Sequence, residues 1–501
     1  MKKKRTSFLT ILIVFVMVLV AAAIVVTKLE PYQAPPAVTT ASAPSGVVGT
    51  AAPAGTTAAE TDPPETTAAP AESLPSGPAQ VVSTASVGTM GDLLMHQPIF
   101  DDHTKYNAAV QQPDGSYDFT TVFQYLTEYT TAVDYAAANL ETTLCGADNG
   151  FAYSGYPNFN CPDDLIDDAA AAGFDMMLTA NNHSYDTRLV GYLRTLEVVR
   201  EKGLDTLGTY TSADETKWTI VEVNGIRIGM LWYTWASYVS EDGRPSLNGN
   251  APIEKAGICN YFHSEHLPEF YAEVEQYMTE MEAAGAEATM MFIHWGQEYQ
   301  LSANSEQKAM AQKLCDLGID VIVGGHPHVV QPVDLIQSTV DPEHKTVCLY
   351  SMGNAVSNQR QGNISSISTA HTEDGVLFSV TFSKYSDGTV HLEGADLIPC
   401  WVNRHATYGK TEYNILPLDA ATREDWKTLY DLSDTTLGAA QRSYDRTVAI
   451  VGEGLARVQE YLATEKAELE QYYYDLVYHP ERFLTEPTEV TEPSEATEPA
   501  A

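Results

Sequence analysis

Histidines, carboxylates and carboxamides gather in five short clusters along this 501-residue chain, each directly after an apolar run. They are Gly91-Asp92 followed by His96, Asn139-Leu140-Glu141-Thr142, Asn181-Asn182-His183 within 180–186, His294-Trp295-Gly296-Gln297-Glu298, and Gly324-Gly325-His326-Pro327-His328. Oxygen and imidazole donors without a thiolate suit Mn²⁺, Zn²⁺, Fe or Mg²⁺. Taken singly, each cluster has an ordinary explanation. Gly-Asp after a strand is a common turn, His294 fits a satisfied core histidine, and Asn182-His183 fits a helix N-cap pair before Thr187. Their recurrence at successive strand ends points instead to one metal centre. The Gly-Gly-His-Pro-His run is the most informative: its glycines permit a sharp turn, and Pro327 fixes the geometry between two imidazoles. A metal held there acidifies water and polarises a phosphoryl or carbonyl oxygen.

Such clusters meet only if the elements before them run side by side. Apolar runs at 85–90, 133–138, 174–179, 226–233, 288–294, 320–323, 346–351 and 376–382 predict strands. Amphipathic spacing predicts helices at 120–131, 187–202, 266–284 and 305–317. The alternation makes residues 81–410 an α/β domain, and open α/β sheets place their binding crevices at the carboxyl ends of strands. Residues 411–484 read as a helical extension packed on that domain, because 422–478 combines helical spacing with many charges.

The flanks differ in kind. After Met1-Lys2-Lys3-Lys4-Arg5, nineteen residues from Phe8 to Val26 carry no charge, long enough to span a bilayer as a helix. The run exceeds a signal-peptide core of about 7–15 residues and continues past Ala21-Ala22-Ala23. Residues 1–30 therefore read as a membrane anchor with a cytoplasmic N-terminus and an extracytoplasmic remainder. Residues 31–80, rich in Ala, Pro and Thr, read as a disordered stalk, and 485–501, with Thr-Glu-Pro three times, as an acidic tail.

Composition removes several classes. With 28 Lys and Arg against 67 Asp and Glu, the net charge is −39, which excludes a general nucleic-acid binder. Six cysteines without CxxC spacing make neither a disulfide scaffold nor a structural zinc site. Cys145 and Cys161 share a loop-like stretch where an oxidising compartment permits a bridge. No Gly-x-Ser-x-Gly elbow is present. Gly409-Lys410-Thr411 ends like a phosphate-binding loop, but Arg404 stands where that loop needs glycine, so an ATP-driven step belongs to another protein. Trp232, Tyr233, Trp235, Trp295, Tyr299 and Trp401 are candidates to shape a groove. Arg360 and Arg404 are candidates to meet an anionic substrate.

The ordered motifs Gly91-Asp92, Asn139-Leu140-Glu141, Ala180-Asn181-Asn182-His183, His294 to Tyr299, Gly325-His326-Pro327-His328 and Tyr350-Ser351-Met352-Gly353-Asn354 resemble the CapA-type capsule proteins over about 82–404. Those proteins are associated with poly-γ-glutamate capsule synthesis and are similar in fold to calcineurin-like metallophosphoesterases. The resemblance implies a two-sheet sandwich with helices on both outer faces. It implies a metal set of Asp92, Glu141, Asn182, His294, His326 and His328 for one or two divalent ions, with His183 protonating a leaving oxygen. Two departures bear on the ion count. Metallophosphoesterases carry Asp-x-His on the first strand, whereas here the next histidine is His96, and their bridging Asp is replaced by Asn139-Leu140-Glu141. The implied role is biosynthesis, transport or anchoring of an anionic capsular polymer, beside membrane-embedded synthetase subunits. An exported metallophosphoesterase with a phosphorylated substrate, or a scaffold that binds polymer without turnover, are the competing readings.

Overall fold

The computed structural model describes residues 77–101, 108–363 and 367–483. The expected membrane anchor, the stalk up to residue 76 and the acidic tail lie outside the described residues. Among those described, no helix is long and apolar enough to cross a membrane.

Eight strands form a first sheet: β1 (Val81–Leu93), β2 (Tyr135–Asn139), β3 (Met176–Leu178) and β4 (Asp205–Leu207), joined by four from later in the chain. The second sheet begins with β5 (Thr219–Val223), β6 (Ile226–Trp235), β7 (Ala288–His294), β8 (Val321–Gly325), β9 (Val333–Gln337) and β10 (Lys345–Leu349), with Tyr261–Phe262 beside β6. The chain then returns to the first sheet as β11 (Asn354–Val356), β12 (Asp374–Tyr385), β13 (Val390–Thr407) and β14 (Lys410–Pro417). The first sheet runs β14-β13-β12-β1-β2-β3-β4 with β11 also on β1, and the second runs β9-β10-β8-β7-β6-β5. β1 to β4 are mutually parallel, as are β6, β7, β8 and β10. Parallel pairing puts their carboxyl ends at one edge of each sheet, where the clusters lie.

The expected strands all form, and three expected helices appear nearly as read. They are α2 (Arg188–Glu201), α3 (Leu267–Ala283) and α4 (Ser305–Asp316), which follow α1 (Asp164–Ala171). Helix α4 starts at a capping box: the Asn304 side chain accepts from Gln307 N–H while the Gln307 side chain accepts from Asn304 N–H. The stretch 120–131 instead breaks into two single turns, Thr120–Phe123 and Thr127–Thr130. Its Thr-rich sequence has poor helix propensity, and packing under the first sheet decides its path.

Three apolar clusters define a mixed α/β fold with helices outside two sheets. The first joins Val87, Met176 and Phe378 of the first sheet to Trp232, Phe292, Val323 and Leu349 of the second. The second backs the first sheet with Phe123, Leu165 and Val199. The third packs Val274 and Met281 of α3 and Met310 and Leu314 of α4 behind the second.

The helical extension begins later than residue 411, since Lys410–Pro417 pairs with β13 as an edge strand. A 45-residue helix, α5 (Asp434–Tyr478), then crosses the body. Its buried residues Ala440, Ser443, Thr447, Val451, Gly454, Val458 and Leu462 recur every three or four positions, one face of a helix. A Cβ at Gly454 would lie 1.9 Å from Val333 O, so glycine lets the helix seat against β9. Arg446 Nε and Nη2 bond the buried Asp374 at 2.8 and 2.6 Å, tying α5 to the start of β12. All six cysteines are free and buried, Cys145 and Cys161 included.

Candidate metal centre

Each cluster reaches the sheet edge by a local device. A Cβ on Gly91 would lie 2.0 Å from Gly353 O, so glycine lets β1 close on the 353 turn, and Asp92 N–H donates to that oxygen at 3.0 Å. In register, Asp92 stands beside Asn139 on one side and Asn354 on the other. After β3, Ser184 Oγ donates to Thr179 O (2.6 Å) and accepts from Asn181 N–H (2.8 Å), folding Asn182 and His183 back over the edge.

The glycines of the Gly-Gly-His-Pro-His run work differently from the expectation. Gly324 and Gly325 are ordinary strand residues of β8, and the missing Cβ is what matters: at Gly324 it would lie 2.0 Å from Tyr350 O. The left-handed turn falls on His326 (φ 93°) and His328 (φ 56°) themselves. Non-glycine residues held there cost about 1–3 kcal/mol each, and such strain concentrates at functional sites.

The structure brings the expected ligands together in two overlapping groups. Glu141, His294 and His326 form one, Asp92, Glu141 and His328 the other, with ligand atoms of each group within 4.8 Å of one another. Glu141 belongs to both: its Oε1 lies 3.5 Å from His294 Nε2 and 3.8 Å from His328 Nε2. Asn182 Oδ1 is 2.7 Å from His294 Nε2, which adds a fourth residue to the first group and a sixth to the two groups together. Both Glu141 oxygens and His326 Nδ1 are buried without a hydrogen-bond partner. Leaving such groups unpaired is costly, so three orphaned polar atoms on residues of these groups fit a divalent cation, and the oxygen and imidazole set fits a hard-to-borderline one.

Electrostatics agree with that fit. Burial, helped by the Asp92 charge, pushes the Glu141 carboxyl well above its ordinary pKa. Burial would raise Asp92 as well, but its bonds and attraction to His328 outweigh it and hold the carboxyl low. Burial pushes His294 down to about 3, and His326 well below its usual value. Neutral imidazoles are the form that binds metal.

A second ring of amides orients these ligands, as outer partners do at metal sites. Asn139 Nδ2 donates to Asp92 Oδ1 (2.7 Å), and Asn139 Oδ1 accepts from Asn181 Nδ2 (3.0 Å). Asn354 Oδ1 lies 3.2 Å from His328 Nδ1, which also meets Asp92 Oδ2 at 3.0 Å. Asn354 Nδ2 donates to Thr372 O, so the segment clamped by α5 braces this ligand.

His183 stands apart from both ligand groups. Its Nδ1 lies 2.7 Å from Asp186 Oδ2, which also accepts from Phe159 N–H. His183 and His328 open on a cavity of about 370 Å³ that Glu298, Tyr299, Asn358 and Gln359 help to line. His96 lines this cavity too and joins neither ligand group.

Asp186, Asn139 and Asn354 all fell inside motifs legible in the sequence, yet only the fold gives them partners, as it alone places Glu298 at the cavity. Spacing alone offered one signal: Asp186 follows His183 by three residues, the reach of a single turn. Other expectations change. Arg360 is committed to Glu373 (2.6 Å) and Val402 O (2.9 Å), and Arg404 lies over the Tyr413 ring, so neither lines the cavity. Of the six aromatics, Tyr299 lines it; Trp235 packs 5.6 Å from His326, and the rest are core.

The model of the family described as bacterial capsule synthesis protein PGA_cap matches residues 86–359, a span that holds every ligand above and ends before α5. The PGA biosynthesis protein CapA of Bacillus subtilis (strain 168) is 25% identical over 355 residues, 69% of this chain and 82% of that protein. The capsule biosynthesis protein CapA of Bacillus anthracis is 25% identical over 241 residues, 48% of this chain and 54% of that protein.

Proposed function

This chain belongs to the bacterial capsule synthesis protein PGA_cap family, and on that premise we propose that it serves biosynthesis, transport or anchoring of an anionic capsular polymer, poly-γ-glutamate, through a metallophosphoesterase-like divalent-metal centre. The observation that carries the reading is Glu141, buried with both oxygens unbonded and shared by two ligand groups. Asp92, Glu141 and His328 would hold one divalent ion, and Glu141, His294, His326 and Asn182 would hold a second. In this reading residues 1–30 anchor the protein in the membrane and the body lies outside the cytoplasm, beside membrane-embedded synthetase subunits.

The bound ions would supply Lewis-acid polarisation of a phosphoryl or carbonyl oxygen and acidification of water. The chain's own groups do the rest. Asp186 holds the His183 ring by its Nδ1, which leaves Nε2 to hold or deliver a proton at the cavity. Asn139 and Asn354 fix the orientation of Asp92 and His328, and burial keeps bulk water from the ligands.

Elemental analysis of the purified full chain, beside His326→Ala/His328→Ala, tests this. One or two equivalents of Mn, Zn, Fe or Mg in the wild type, lost in the double variant, is the expected result. A wild type that carries no metal and takes up neither Mn²⁺ nor Zn²⁺ would overturn the metal centre and leave a polymer-binding scaffold.

A further inference from the structure

The cavity beside the ligands has an unexpected charge character for a protein whose polymer is anionic. Among the described residues that line it there is no lysine or arginine, and the one carboxylate is Glu298. The nearest arginine in sequence, Arg360, already serves Glu373 and Val402 O. Aromatic rings of Tyr156, Phe159 and Tyr299 form part of the wall.

The Glu298 side chain is exposed, and the backbone that carries it is fixed. Gly296 (φ 89°) and Tyr299 (φ 65°) turn the loop sharply on either side of it. Tyr299 N–H donates to Pro327 O (2.8 Å), Gln359 Nε2 donates to the Tyr299 hydroxyl (3.2 Å), and Gln331 Nε2 donates to Gln300 O (2.8 Å). The same Pro327 stands between His326 and His328, so the carboxylate is registered against the metal-ligand loop.

A carboxylate at a cavity whose wall includes aromatic rings is an environment that receives an ammonium, by ion pairing and by cation–π attraction. It suits a run of further carboxylates less well, because these would meet Glu298 with no lysine or arginine among the described lining residues to offset the repulsion. Two divalent ions on Asp92 and Glu141 would leave the centre itself positive, so opposite potentials would stand side by side. We propose that this cavity takes a bipolar substrate: a phosphate or carboxylate at the metal centre, and an ammonium in the adjoining cavity, received by Glu298. This rests on the metal-centre reading above.

Titration calorimetry on the Mn²⁺-loaded full chain tests it with two probe pairs, O-phosphoethanolamine against ethyl phosphate and γ-aminobutyrate against butyrate. The amine-bearing member of at least one pair should bind about fivefold more tightly, the upper range for a solvent-accessible ion pair. The pair that shows the preference identifies the reacting group as phosphate or carboxylate. The preference should shrink with added salt and fall to near unity in Glu298→Gln. Mn²⁺ uptake with equal affinities in both pairs, tighter binding of the amine-free members, or no binding of any probe would overturn the proposal while leaving the metal centre standing. Failure to take up Mn²⁺ would overturn both. The wild-type comparison and its salt dependence decide the matter without reliance on the variant.

Discussion

Glu141→Gln separates a metal ligand from a structural acid, because it keeps the side chain's shape and removes only its charge. In the wild type this carboxyl is fully buried and neither oxygen has a partner. Burial and the Asp92 charge already hold it toward its neutral form. With metal stripped by EDTA, glutamine therefore replaces a group of similar size and polarity, and the change in stability should stay within about 1 kcal/mol, since an uncompensated buried charge is itself unfavourable. With Mn²⁺ present the outcome differs. Free ion at a hundred times its Kd stabilises the wild type by about 2.7 kcal/mol. For a body of roughly 400 residues, about 1.5 °C per kcal/mol by extrapolation of the size trend, this is a rise in Tm of about 4 °C. In the variant both ligand groups lose their shared oxygen, and the rise should fall below about 1 °C. Thermal unfolding of both full chains at one pH, in EDTA and in Mn²⁺, gives all four numbers. A variant that keeps the full Mn²⁺-induced shift would refute the role of Glu141. So would a loss of several kcal/mol in EDTA, which would mark the carboxyl as a structural acid.

Two further outcomes follow from the same geometry. His183→Ala should lower turnover of p-nitrophenyl phosphate about 10²–10⁴-fold, the span of general acid catalysis, and Asp186→Asn should lower it less while shifting its pH profile. Both should keep wild-type metal content, because neither residue belongs to a ligand group; loss of metal in either would contradict the assignment. The second concerns acid. His96 and His294 are pushed down to about 3, so each is neutral when folded and protonated when unfolded below 6.5. Stability from them is full above that value and drains as pH falls, by about 2 kcal/mol each between pH 7.5 and 5. His326 acts in the same direction. Glu141, raised, and His328, also raised, act in the opposite one, so the effect is cleanest in Glu141→Gln without metal. In urea unfolding of that variant His96 and His294 together should contribute a loss of about 4 kcal/mol over this range, offset in part by Asp374, raised to about 6, and by His328, and a flat or rising profile would refute the burial of neutral imidazoles.

The candidate site was legible to an unusual degree because parallel strands convert sequence order into spatial order. A residue just past the end of an apolar run must lie at the sheet's carboxyl edge, so the clusters could be placed together from position, while the choice of Asp92, Glu141, Asn182, His294, His326 and His328 within them came from the family resemblance. Strands with an unbroken apolar run, such as β7, were read at their observed bounds. β13 escaped notice because Glu393, Gly394 and Pro399 interrupt its pattern, and a register shift opposite Phe382 accommodates the interruption. The short β3 and β4 have too few residues for periodicity to fix their limits. The single turns at 120–131 follow packing rather than propensity.

By itself the sequence determined the donor chemistry, the α/β alternation, the anionic surplus and the family, since all of these are written in residue type and order. Tertiary structure alone decided that Glu141 is common to two ligand groups, that His326 and His328 rather than the glycines carry the left-handed turn, and that Asp186 serves His183. It also decided that Arg360 is spent on Glu373 while Glu298 faces the cavity. The physical reason is common to all of these. A hydrogen bond or shared ligand across sequence separations of 47 to 236 residues, such as Asn139 with Asp92 or His328 with Asp92, depends on angles and distances that two packed sheets impose and that no local pattern encodes.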